Sequence, residues 1–344
     1  MSVFFIMSGF LMFYSYGESD KIQEKGVIYN IKFGIYKVKK LYQLHIITLF
    51  AAMPFLIYTC IGNHIIGEIL KSILKTVSNA LLIQAWVPNT EFYFSLNGVS
   101  WYLSVTLFLY IMFPFILKVI KRYSGIKTAF LVVICTFVIQ IVMSYLSYRL
   151  QINHQVADII YDDVFFVRWF SYICPLSRLE DFIIGCNLGY IFTHMRRDRE
   201  QSWKYTMFEL GIIGIIIVQW ILYVLVDTIP SIEDASIHAK NWWGYTAYWT
   251  MTSCVLIYIF AMKSGKISKL LTNRVLVFVG NMSASAFLIH QIVFRYLISI
   301  EKIIFGAEYK YFNLIICLAI TIGCSYLWGL IIKTIQKKKY ELKT

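Results

Sequence analysis

Polar side chains inside long apolar stretches are where this sequence can do chemistry, because a polar group in hydrocarbon is costly and persists mainly where it is paired or used. The stretch GNMSASAFLIHQIVFRYL holds Ser283 and His290 seven residues apart, on one face of a helix. An imidazole there can move protons near neutral pH; the alternative is a neutral ring hydrogen-bonded to a neighbouring helix. NGVSWYLSVTLFLYIMFP sets Trp101, Ser104 and Phe108 on one face, and Thr106 and Tyr110 on another. Trp101 alone suits an interfacial anchor, but Ser104 and Thr106 add more polarity than anchoring needs. YKVKKLYQLHIITLF brings Lys37, Lys39, Lys40 and His45 to the start of an apolar run. Such lysines either anchor a helix in the headgroups or hold a phosphorylated ligand as point charges. In SRLEDFIIGCNLGYIF, Arg178 and Asp181 are spaced to pair at i, i+3, and Gly185 and Gly189 form a GxxxG step that lets helices approach closely. FFIMSGF puts Ser8 beside Gly9, a small pair with the same use. The seven cysteines are scattered without a CxxC pair, so neither a disulfide framework nor a metal site is expected.

The elements that must carry these residues follow from composition. Of 344 residues, 59% are hydrophobic and 15% charged, far from the balance of a soluble domain. Apolar runs near the length of a bilayer crossing recur between short charged stretches. Spans are expected at about 1–16, 43–61, 100–120, 127–148, 178–194, 208–226, 244–262, 276–298 and 311–333. The fold class is therefore all-α: one polytopic transmembrane helical bundle over 1–344, with a basic tail at 334–344. The net charge of +13 sits in small clusters beside the apolar runs, as topology determinants do, so nucleic acid is not an expected partner.

The loops set the orientation. Loop 17–42 has six lysines against three acids, loop 118–127 has four basic residues, loop 263–274 has four, and the tail after 332 has five lysines and one glutamate. The alternate loops are acidic, with Asp158, Asp162 and Asp163 in one and Asp227, Glu233 and Asp234 in another. The positive-inside rule places every basic loop and the C-terminus in the cytoplasm. The alternation holds only if 69–86, interrupted by Lys71 and Lys75, does not cross. It is then an amphipathic or re-entrant segment, and the count is nine. Met1 falls on the outer face. Met1–Tyr16 has no basic n-region or cleavage site, so it is not expected to be a signal peptide; a preceding helix is expected to be missing.

Taken in order, FFIMSGFL, KKLYQLH, LLIQAW, WYLSV…FLYIMFP, RLEDFIIGCNLG and SASAFLIH resemble the membrane-bound acyltransferase 3 family over roughly residues 3–298. Gln43 stands where that family usually has proline, and Thr106 where many members have glutamate, so no carboxylate role carries over. The family's first helix, with a basic residue and a catalytic histidine, has no counterpart here, and the chain as written is expected to be weakly active or inactive.

The resemblance implies an integral-membrane O-acyltransferase taking an acyl group, most simply acetyl, from acyl-CoA to a hydroxyl of a cell-envelope or exported polysaccharide. A hydroxyl is a poor nucleophile near neutral pH and needs a general base. His290 and Ser104 are the catalytic candidates. Lys37, Lys39, Lys40 and His45 are candidates for the CoA phosphates, and Ser8, Trp101, Tyr110, Arg178 and Asp181 for the acceptor or transfer path. Acyl-CoA is a co-substrate and no cofactor is held. The expected partners are the bilayer and a polysaccharide or lipid-linked sugar, and a homo-oligomer is compatible. The alternatives are a non-catalytic polysaccharide exporter and a secondary transporter. No inverted repeat supports the latter.

Overall fold

The structure, a computed structural model, describes residues 1–19, 22, 26–63, 66–149, 169–195, 202–228, 247–305 and 310–341. Among these there are helices and turns, with no strand. The helices are α1 (Ser2–Tyr16), α2 (Val27–Asn63), α3 (Ile66–Ala80), the single turn α4 (Thr90–Tyr93), α5 (Trp101–Ile120), α6 (Ile126–Arg149), α7 (Pro175–Met195), α8 (Trp203–Thr228), α9 (Ala247–Ala261), α10 (Lys266–Leu271), α11 (Arg274–Phe305) and α12 (Lys310–Glu341). The acidic loop residues Asp158, Asp162, Asp163, Glu233 and Asp234 lie outside the described residues.

Each stretch expected to span coincides with a helix. Six are long and apolar enough to cross a bilayer: parts of α2, α5, α6, α8, α11 and α12. The other three fall short of that measure. α1 and α9 have 15 residues each, about 22 Å against a hydrocarbon layer of about 30 Å. α7 carries Arg178, Glu180 and Asp181 in its first two turns. Six crossings rather than nine are thus carried by length and composition among the described residues.

One boundary differs more. Residues 27–42, expected within a cytoplasmic loop, form the first part of α2, a 37-residue helix about 55 Å long. Lysine is a good helix former, and no proline precedes Pro54 in this helix, so the lysines extend the apolar helix instead of ending it. His45 consequently sits half-way along α2, eighteen residues from either end.

Two compact units divide the chain: Met1–Ile35 with Val105–Asn273, and Tyr36–Ser104 with Arg274–Thr344. In the first, α1 and α7 make the closest helix pair. Glycine is the reason. A side chain at Gly9 would strike the Phe182 carbonyl, one at Gly185 the Ile6 carbonyl, and one at Gly189 the Phe10 carbonyl, so both helices present bare backbone to each other. Aromatic edges close the seam at Phe10–Phe192 and Phe13–Tyr190. α6 packs on α7, α9 on α1, and α8 on α9, where Gln219 and Tyr248 bond each other's backbone.

In the second unit α11 and α12 pair, and α3 runs back antiparallel along α2. Tyr42 and His45 of α2 hydrogen-bond the Ala80 and Asn79 carbonyls at the end of α3, while Met53 and Ile57 lie beside Ile69 and Ile73 near its start. α3 is amphipathic, as 69–86 is expected to be: Ile69, Leu70, Ile73, Leu74 and Val77 form an exposed apolar stripe, and Lys71 and Lys75 pair with Glu68 and Glu91. Residues 81–100 then form turns and single helical turns, α4 among them, clamped by α11. Arg295 donates to the Leu96 carbonyl, Gln291 accepts from Val99 N–H, and Asn97 donates to the Leu288 carbonyl.

Candidate functional site

The second unit holds a cleft of about 530 Å³ between α11 and α12. Its walls are mostly apolar, and His290, Ser283, Thr321, Cys317 and Ser325 supply the polar groups. His290 Nδ1 lies 3.3 Å from the Ala286 carbonyl, one turn back in α11. A carbonyl can only accept, so Nδ1 carries a hydrogen, and in the neutral ring Nε2 is the nitrogen with the lone pair. The imidazole is half-buried and lines the cleft. Cys317 directs its thiol to the His290 backbone carbonyl at 3.5 Å, not to the ring, so the two do not form a nucleophile–base pair. Ser283 bonds the Gly280 carbonyl within its own helix.

The other catalytic candidate, Ser104, is buried and donates to the Leu82 carbonyl at 2.5 Å. Its hydrogen is held by backbone, and the side chain fastens the turn after α3. Trp101 is buried at the start of α5.

The lysines and His45 do not form one cluster. Lys39 and Lys40 are exposed and Lys37 half-buried on α2, whereas His45 is fully enclosed with Nε2 3.0 Å from the Asn79 carbonyl.

In the first unit the structure joins four of the path candidates in pairs. Ser8 and Tyr110 share a hydrogen bond of 3.0 Å. Arg178 and Asp181 pair at 2.8 Å with both side chains fully enclosed. Arg178 also donates to Ser2 Oγ and, through Nε, to the Tyr172 carbonyl, and it stacks over the Tyr172 and Phe5 rings. Gln140 of α6 donates to the second Asp181 oxygen and accepts from Thr250 of α9. The pair is thereby neutralised from three helices, which marks it first as the polar core of the unit. Among the described residues Arg178 Nη2 has no hydrogen-bond partner.

Sequence reasoning missed Asn79, Gln84, Asn97, Gln140 and Gln291. Each is an amide in an apolar stretch, which was the available signal; the partners that make them matter lie 16 to 192 residues away in sequence.

A family model described as an acyltransferase domain, that of acyltransferase 3, matches residues 1–334, almost the whole chain. This chain belongs to the acyltransferase 3 family. The acyltransferase MdmB of Streptomyces mycarofaciens is 22% identical over 313 residues, covering 86% of this chain and 68% of that protein. No solved structure matches. As an acyltransferase 3 member with several helices able to cross a bilayer, the chain is a multi-pass membrane protein and a transferase of acyl groups.

Proposed function

We propose that this chain moves an acyl group, acetyl in the simplest case, from acyl-CoA to a hydroxyl of a cell-envelope or exported polysaccharide. The observation that carries the reading is His290: its hydrogen is fixed on Nδ1 by the Ala286 carbonyl, and Nε2 is left as a base on the wall of a cleft. In the proposed step Nε2 takes the hydroxyl hydrogen as the oxygen attacks the thioester carbonyl. The carbon–sulfur bond then breaks, and the proton passes to the departing CoA sulfur. Lys37, Lys39 and Lys40 offer the positive charge that CoA phosphates need. In the first unit Ser8 and Tyr110 would line the acceptor's path, with Arg178 and Asp181 holding its walls, and in the second Trp101 is a candidate for the same role. The basic loops and the C-terminus face the cytoplasm, where acyl-CoA is made.

The test is a reaction of the purified chain in nanodiscs with radiolabelled acetyl-CoA and a short oligosaccharide. Label in the sugar, released as acetate by mild base and matched by free CoA thiol, supports O-acyl transfer. CoA thiol released without label in the sugar, or no release at any donor chain length, overturns it.

A further inference from the structure

The cleft between α11 and α12 is longer than the proposed transfer step requires. The two helices run antiparallel along it. At one end the Cys317 thiol meets the His290 carbonyl at 3.5 Å, and at the other the ring centroids of Phe278 and Tyr326 lie 5.8 Å apart. From Val279 to His290 the cleft follows about 16 Å of α11. It is a trough with His290 at one end, and an acetyl group there fills only a small part of its ≈ 530 Å³.

Floor and rim differ in chemistry. Cys317, Thr321 and Ser325 succeed one another at four-residue steps on one face of α12, and all three are buried. Val279, Leu314 and Leu318 form an exposed apolar rim. A sugar or a phosphate group would meet apolar walls along most of this length, at a cost in lost hydrogen bonds. A plain alkyl chain would leave the polar row unused. A slender chain that carries amides between aliphatic groups matches both surfaces.

The end away from His290 is followed by positive charge. Arg274 opens α11 just ahead of Val279, and Lys333 stands on α12 about two turns beyond Ser325, both exposed. Leu41 and Leu44 of α2 share a cluster with Trp328 and Ile332, and Lys37 and Lys40 precede those leucines by one turn. Charge alternation assigns the loop before Arg274 and the tail after 332 to the cytoplasm.

We infer that this trough is the donor subsite: the pantetheine arm of acyl-CoA lies along it, with the thioester at His290 and the phosphates beside Arg274 and Lys333. Acyl-CoA is a sequence of phosphates, an amide-bearing arm and a thioester. The second unit offers cations, a long trough with a polar floor, and a base in the same order. The assignment deepens the acyl-transfer reading and rests on it for the choice of ligand, but donor binding is measurable without transfer.

The experiment is calorimetric titration of the whole chain in nanodiscs with S-acetonyl-CoA, whose extra methylene between sulfur and carbonyl prevents acyl transfer. S-acetonyl-pantetheine, the same arm without phosphates, is the second probe. Ala286→Phe fills the trough beside His290 and should weaken both probes by about tenfold or more. If that chain does not fold, Leu318→Trp on the exposed rim takes its place. Arg274→Gln combined with Lys333→Gln should weaken the CoA probe about tenfold and leave the pantetheine probe unchanged. Leu327→Trp, exposed on α12 outside the cleft, should alter neither. No binding of the CoA probe, binding indifferent to the trough variants, or a charge variant that affects both probes alike overturns the inference. Binding with the expected pattern but no acyl transfer defeats the proposed function and leaves the subsite standing. Acyl transfer with binding indifferent to the trough variants does the reverse.

Discussion

Arg178 donates to Asp181 across 2.8 Å in a place where neither side chain reaches the protein surface. Removing one partner leaves a buried charge uncompensated, whereas removing both leaves shape without charge. Asp181→Asn should therefore destabilise the chain by about 3–5 kcal/mol, and Arg178→Met with Asp181→Leu by much less. Thermal unfolding in detergent measures both, and a single variant no worse than the double would refute this account.

The seam between α1 and α7 predicts a contrast between glycines. Gly185→Ala drives a methyl into the Ile6 carbonyl, a backbone atom that cannot rotate away, and should cost about 1–3 kcal/mol. Gly211→Ala in α8 meets open space and should be neutral or stabilising by up to about 1 kcal/mol. The same unfolding assay compares them, and equal effects would argue against backbone contact as the reason for glycine.

Glu209 predicts a local effect. Its carboxylate is enclosed and accepts from the Ile267 and Ser268 amides at 2.9 and 3.1 Å, capping α10 from a different helix. Glu209→Ala orphans both amides and should cost about 1–2 kcal/mol. Hydrogen exchange should accelerate at Lys266–Ser268 and leave α11 and α12 unchanged. Uniform acceleration would point to global unfolding instead.

His290 predicts a chemical effect. If Nε2 takes the hydroxyl proton, His290→Gln should lower acyl transfer about 10²–10⁴-fold with unfolding unchanged. Cys317→Ser on the same cleft should leave transfer largely intact, since its thiol bonds backbone and not the ring. Comparable losses in both would assign the cleft a packing role.

The charge alternation predicts sidedness. In a cysteine-free background, Ser124→Cys in the loop after α5 should react with a membrane-impermeant maleimide only after the membrane is opened, as should Lys343→Cys. Labelling of both in intact cells would reverse the assigned orientation.

Part of this architecture was legible before any coordinates. The helices that contain Trp101, Ser283 and Gly185 fall where the apolar runs put them, because hydropathy is a property of neighbouring residues and a helix satisfies its own backbone within the segment. That α1 and α7 each admit a close neighbour was legible too, since Gly9, Gly185 and Gly189 lack the side chains that would keep backbones apart, but that they meet each other came only from the packing. The start of α2 was not: lysines at 32–40 look like a loop to a charge count, yet they continue a helix comfortably. Ser104 likewise reads as a free hydroxyl until the Leu82 carbonyl, 22 residues earlier, is placed against it.

Composition and order along the chain thus determined by themselves that this is a helical membrane protein, and they carried the family resemblance, because apolarity and motif order are local. Only the tertiary structure decided which ring nitrogen carries the hydrogen at His45 and at His290, and what meets the second oxygen of Asp181. Those outcomes depend on carbonyls and amides such as Asn79, Ala286 and Gln140, and which group meets which hydrogen is fixed by helices packing together, not by their separate sequences.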